Sequence, residues 1–134
     1  MSEQIETEDQ PPSIGLGRII NACGYSCAGL AEAWRNEGAF RTEVLAAVIL
    51  IPVACYAPVT TVERVLLIGS VLLTMVVELL NCGIEATIDR ISLERHPLSK
   101  RAKDTASAAV FVSVLIGIIT WAVVLGPWAL QALR

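Results

Sequence analysis

Residues Thr105–Leu130 read TASAAVFVSVLIGIITWAVVLGPWAL, 26 positions without one charged side chain. Wound as an α-helix, that stretch rises about 39 Å, more than the roughly 30 Å of a bilayer's hydrocarbon core. The rest of the chain agrees with it. The whole is 134 residues, 54% hydrophobic and 17% charged, with a mean hydropathy of +0.63. A soluble domain ordinarily carries about a quarter charged residues. The composition argues against a water-soluble protein, and the length against two domains.

Working outward gives two more spans. One runs from about Ala39 to Tyr56 (39–57 with its exit), where the uncharged stretch Val44–Val59 supplies only about 24 Å of helix. The preceding Phe40, Arg41 and Glu43 complete the crossing at the interface, and Pro58 with Thr60–Thr61 marks the turn out. The next starts near Val62, is apolar through Val77 and continues as helix past Glu78 to about residue 91. The third occupies 103–130, with Trp121 and Trp128 as expected interfacial anchors.

Lysine and arginine set the orientation. Arg18, Arg35 and Arg41 precede the first span, and Arg64 lies near the first turn. Arg90, Arg95, Lys100, Arg101 and Lys103 lie between the second and third spans, and Arg134 ends the chain. By the positive-inside rule the N-terminus and the second connection are cytoplasmic, and the C-terminus is on the outer side.

Two segments precede the spans. Residues 1–14 hold Glu3, Glu6, Glu8, Asp9 and Pro11–Pro12 and are expected to form a disordered acidic tail. They account for the net charge of −3, since ten basic residues face nine acidic ones from Arg18 onward. Residues 15–36 follow as an amphipathic helix: Leu16, Ile20, Cys23, Cys27, Leu30 and Trp34 share one face, Arg18, Asn21, Tyr25, Glu32 and Asn36 another. Such a helix suits the membrane surface or packs on the protein's own spans. Cys23, Cys27, Cys55 and Cys82 form no C-x-x-C pair, and they read as small apolar packing residues.

The informative anomaly lies on the second span. Thr74, Glu78, Asn81, Glu85 and Asp89 follow steps of four, three, four and four, one polar stripe on a helix. A carboxylate at membrane depth costs several kcal/mol on most scales and is usually functional there. Asp89 beside Arg90 suits a charge reaching the interface. Glu78 and Glu85 on one face do not, because like charges repel unless a cation or proton intervenes. A divalent cation is the economical remedy, and Glu78, Asn81 and Glu85 offer it oxygen ligands.

The second anomaly is the basic stretch Arg90 to Asp104. Its charges can enforce topology or meet anionic lipid. Yet Lys103–Asp104 stand at the mouth of the third span among small residues, where a polyphosphate with its metal needs a lysine. There is no G-x-x-x-x-G-K-[ST] loop and no protein-kinase signature, so any nucleotide chemistry uses another kind of site.

The run Glu78–Leu79–Leu80–Asn81–Cys82–Gly83–Ile84–Glu85–Ala86–Thr87–Ile88–Asp89–Arg90 resembles the signature of the prokaryotic diacylglycerol kinase family. His96–Pro97–Leu98–Ser99–Lys100–Arg101–Ala102–Lys103–Asp104, followed by Ser107–Val110, is similar to its second block. Gly24–Tyr25–Ser26, Gly29–Leu30, Ala33–Trp34 and Asn36–Glu37 with Ala39–Phe40–Arg41 resemble its surface-helix region. The likeness covers roughly Arg18 to Trp121. It departs at Asn21 (a lysine is expected), Cys27 (tryptophan), Lys100 (glycine), Cys82–Gly83 (Ser-Ala) and Thr105–Ala106 (Met-Gly).

The resemblance implies an all-α integral membrane protein of the bacterial cytoplasmic membrane, with an N-terminal surface helix and three transmembrane helices per subunit. It implies a homotrimer with active sites shared between subunits, and no nucleic-acid partner. The implied reaction moves the γ-phosphoryl of MgATP to the hydroxyl of 1,2-diacylglycerol, giving phosphatidate. By position, Glu85 is the expected general base, with Glu78 and Asn81 around the reacting centre. Glu37 and Glu85 are the expected Mg²⁺ pair. Arg18, Tyr25, Glu37, Glu85, Asp89, Lys103 and Asp104 are expected at the nucleotide, and Arg18, Glu78 and Ser107 at the lipid.

Three other readings compete. An undecaprenol kinase of the same family is the nearest. A small multidrug-type proton-coupled transporter explains intramembrane carboxylates, but that class favours four spans and a glutamate in the first. A non-catalytic membrane subunit explains small-residue packing but not the carboxylate stripe.

Overall fold

The computed structural model describes residues 15–132, which form four α-helices and, among the described residues, no strand. The acidic tail expected over residues 1–14, and Arg134 on the expected outer side, lie outside the described residues. Packing divides the chain into two units after Glu32.

The first unit holds most of helix α1, Leu16–Asn36. Gly15 opens it at φ +100°, a conformation other residues rarely adopt, and its carbonyl accepts from the Arg18 backbone at 3.1 Å. Apolar Leu16, Ile19 and Ile20 are all exposed along the helix.

The second unit holds α2 (Gly38–Tyr56), α3 (Thr61–Ile91) and α4 (Pro97–Ala132), each long and apolar enough to cross a membrane. α3 packs against both others. The buried positions explain how. Phe40, Ala47 and Ala54 recur every seven residues along α2, and Ala106 and Ser113 do so on α4. Leu67, Ser70, Val71 and Glu78 face inward on α3. A seven-residue spacing keeps one seam facing its neighbour, and small residues let backbones approach where lipid supplies no hydrophobic drive. The opposite faces display Val48, Ile49, Phe111, Ile118 and Ile119, each 59–66% exposed. Unrelieved contact of that much apolar surface with water is foreign to a soluble monomer. The chain is an all-α integral membrane protein.

Local signals fix the helix ends. Thr60 and Glu63 form a reciprocal capping box at the start of α3. Arg64 donates back to the Ala54 and Ala57 carbonyls at 3.1 and 3.2 Å, closing the end of α2. α4 begins at Pro97, two turns before the uncharged run, as its proline permits. Lys100, left in the connection by the expected span of 103–130, therefore stands on helix with Lys103 and Asp104.

Trp121 departs from the anchoring role expected of it. It is half-buried, and its indole Nε1 donates to the Leu67 carbonyl of α3 at 3.3 Å. Trp128 remains more than half exposed.

Candidate active site

The polar stripe of α3 faces protein rather than lipid at its deep end. Glu78 is 3% exposed, Thr74, Asn81 and Glu85 are half-buried, and Asp89 is exposed at the helix end. At the deep end, Thr74 Oγ1 donates to the Ser70 carbonyl at 3.2 Å, and the Ser113 carbonyl of α4 lies at 3.4 Å. One turn on, Cys82 Sγ stands 4.0 Å from Glu78 Oε1. The Asn81 amide donates to Glu85 Oε1 at 3.4 Å, while Asn81 Oδ1 is buried without a partner.

Glu37 joins this group from the break between α1 and α2. Its backbone is extended (φ −106°, ψ 111°) and it occupies the N-cap of α2, yet its side chain makes no capping bond. A glutamate at that position that does not cap leaves its carboxylate for other work. The carboxylates of Glu37 and Glu85 both act electrostatically on Glu78. Three acidic groups thus share one neighbourhood, as the spacing of the stripe suggested for two of them.

The exposed end carries the cations. Lys103 Nζ donates to Asp89 Oδ1 at 2.6 Å, joining α3 to α4, and Glu85 also acts on its charge. Lys100 pairs with Asp104 along α4. The connection between them is built from its own residues. Ser92 Oγ accepts from the Glu94 backbone at 3.0 Å, and His96 Nδ1 from that of Leu98 at 3.2 Å. Asp89, His96, Lys100, Lys103 and Asp104 border a cleft of about 600 Å³.

The donor set fits a magnesium ion. Mg²⁺ is commonly held by one or two carboxylates and completes its shell with water and substrate phosphate. Glu37 and Glu85, which both act on Glu78, are the carboxylates that would hold it, and Asn81, one turn before Glu85, has an unpartnered oxygen. No three of His, Cys, Asp and Glu converge as a complete protein cage among the described residues.

The expected residues are not all brought together. Glu37, Glu78, Asn81, Glu85, Asp89 and Lys103 belong to one neighbourhood. Asp104 lies at the cleft but pairs with Lys100, and Ser107 is exposed on α4. Arg18 and Tyr25 are exposed on α1, in the other unit. Sequence reasoning passed over Glu43, treated there as an interfacial charge. Its Oε2 is buried without a partner, beside a cavity of about 450 Å³ that Ser70, Thr74 and Trp121 also line. Glu43 follows Arg41 and Thr42 at the start of a span, so the two-sided apolar setting that marked Glu78 was missing there.

A bundle of apolar helices, with a carboxylate stripe on α3 tied at its exposed end to a lysine of α4, defines a membrane-embedded protein with a polar site. The profile of the prokaryotic diacylglycerol kinase family matches residues 24–125, and the chain belongs to that family. It is 58% identical over 111 residues to a diacylglycerol kinase of Pseudomonas aeruginosa, covering 83% of this chain and 90% of that one. With the diacylglycerol kinase of Escherichia coli K12 the identity is 51%, covering 83% and 91%. With that of Helicobacter pylori 26695 it is 42%, covering 92% and 93%.

Proposed function

We propose that the chain is an ATP-dependent diacylglycerol kinase. It moves the γ-phosphoryl of MgATP to the free hydroxyl of 1,2-diacylglycerol, giving phosphatidate and ADP at the cytoplasmic face of a bacterial inner membrane. The observation that carries this reading is the stripe itself, which runs from a sealed carboxylate at membrane depth to Asp89 and its α4 partner Lys103 at the border. A lipid hydroxyl and a water-soluble triphosphate have to meet at such a border.

In the reaction the hydroxyl oxygen forms a bond to the γ-phosphorus, the bond to the β,γ-bridging oxygen breaks, and the hydroxyl proton passes to a carboxylate. The signature assigns that proton to Glu85. The surroundings favour a different division of work. Glu85 accepts from Asn81 and feels Lys103, so its charge is already held on the phosphate side. Glu78 has the Cys82 thiol at 4.0 Å and feels the Glu37 and Glu85 carboxylates, and a proton placed there is shielded from water. We therefore give Glu78 the proton, and Glu85 with Glu37 the Mg²⁺. Bound there, magnesium offsets phosphate charge. Lys103 does the same from α4, and positioning with electrostatics supplies most of the rate. As in the resemblance, the working form is a homotrimer, whose contacts would cover part of the exposed apolar faces; cross-linking in vesicles tests it.

Purified chain is supplied with γ-labelled ATP and either diacylglycerol or undecaprenol in vesicles. Label in phosphatidate is expected. Label in polyprenol alone overturns the substrate, and no label in any lipid overturns the kinase. Glu78→Gln should keep MgATP binding and lose at least about a hundredfold in kcat, the scale of general-base catalysis. Glu85→Gln should weaken MgATP binding itself. The reverse pattern returns the base to Glu85.

A further inference from the structure

Asp89 stands where a nucleotide ligand is expected, yet its charge has the wrong sign for a triphosphate. What it does hold is Lys103, at 2.6 Å across the α3–α4 seam. This is the ion pair that joins two helices among the described residues; the other, Lys100 with Asp104, stays within one. Neither helix needs it for its end. α3 closes with the Ser92 backbone donating to Ile88, and α4 opens with the Lys100 backbone donating to the His96 carbonyl. The side-chain pairing is therefore not explained by capping.

We infer that Asp89 is a positioning residue, which aims the Lys103 ammonium at the phosphates and does not itself bind nucleotide. The inference rests on the kinase reading above. An ammonium has three donors and no acceptor. One donor spent on Asp89 leaves two, for a phosphate oxygen and for the side of Glu85, whose charge already acts on Lys103. Asp89 and Glu85 lie one turn apart on α3, so a single lysine on α4 faces both. A lysine stem is long and flexible, and a fixed partner removes the search that an unpaired one would make on every turnover. The half-exposed state of both side chains, 37% for Lys103 and 49% for Asp89, leaves the ammonium open to an incoming anion.

The test is a double-mutant cycle on the full chain in vesicles, using Asp89→Asn, Lys103→Met and the pair. Each protein is assayed for label transfer and titrated with MgATP, so the comparison does not depend on residual turnover. Asp89→Asn should cut kcat/KM for ATP at least tenfold and leave KM for diacylglycerol unchanged. The pair should be no worse than Lys103→Met alone, because Asp89 acts only through that lysine. Asp89→Glu should recover part of the loss, and tryptophan-monitored unfolding should move little. Additive losses, or full ATP affinity in Asp89→Asn, overturn the inference while label transfer by the unaltered chain preserves the kinase reading. No transfer by the unaltered chain overturns both.

Discussion

The Asn81 side-chain amide donates to Glu85 Oε1 one turn along α3, and the same side chain buries its Oδ1 with no partner. A buried acceptor left unpaired costs about 1–3 kcal/mol. Such a cost is tolerated where a ligand or ion will complete the set, and under the proposed reading that ion is the Mg²⁺ assigned to Glu37 and Glu85. Replacing Asn81 with Leu should therefore hold or raise resistance to denaturant while label transfer falls at least tenfold. Unfolding in graded detergent mixtures and the labelled-ATP assay check the two halves. A destabilised protein with normal turnover would show that the oxygen serves the fold.

Divalent cation should be indispensable. Chelation is expected to abolish label transfer, and added Mg²⁺ to restore it. Glu37→Gln should raise the free Mg²⁺ needed for half-maximal rate by about tenfold, or about 1.4 kcal/mol of binding. The chemistry of Glu37 makes this specific: it holds the N-cap of α2 through backbone alone, so the amide should leave the helix start intact. An unchanged Mg²⁺ requirement would remove Glu37 from the metal pair.

Much of this architecture was legible in the residues. An uncharged run such as Thr105–Leu130 has one good solvent, and the step pattern from Thr74 to Asp89 places a polar stripe on any helix. Where the stripe points was not legible, because periodicity gives a face and not its neighbour. The structure turns its deep end onto protein, so that Glu78 is sealed. The partner of Lys103 was equally hidden. Asp89 lies 14 residues away, and only the placement of α4 on α3 brings them together. Glu43 escaped for a different reason, since a charge near a span's start reads naturally as interfacial.

Arg64 offers a test on the opposite side of the bundle. Positive charge near the first turn is the exception to the topology pattern, and the structure gives it a task. Its guanidinium binds the Ala54 and Ala57 carbonyls, two of the groups that the end of α2 leaves without helical partners. Arg64→Ala should lower stability by about 1–3 kcal/mol, because it orphans the buried Ala54 carbonyl, which Pro58 has no N–H to serve, while Ala57 keeps the Val59 backbone donor. KM for ATP should stay as it was, because the contact lies at the other end of α3 from Lys103. Detergent-induced unfolding reads the first outcome and initial rates the second.

Trp121 separates hydrogen bonding from packing in the membrane. Its indole reaches the Leu67 carbonyl at 3.3 Å, but that oxygen also accepts from Ser70 Oγ at 2.9 Å. Trp121→Phe keeps most of the ring and leaves the carbonyl paired, so its cost should be near the 0.6 kcal/mol average for polar contacts between membrane helices. Trp121→Ala removes the ring beside a cavity that already borders Val71 and Ile118, and should cost about 3–5 kcal/mol. Comparing the two variants in the same unfolding assay measures what the hydrogen bond adds to the packing. Equal losses would mean that the α3–α4 seam depends on the indole N–H, and that Ser70 cannot stand in for it.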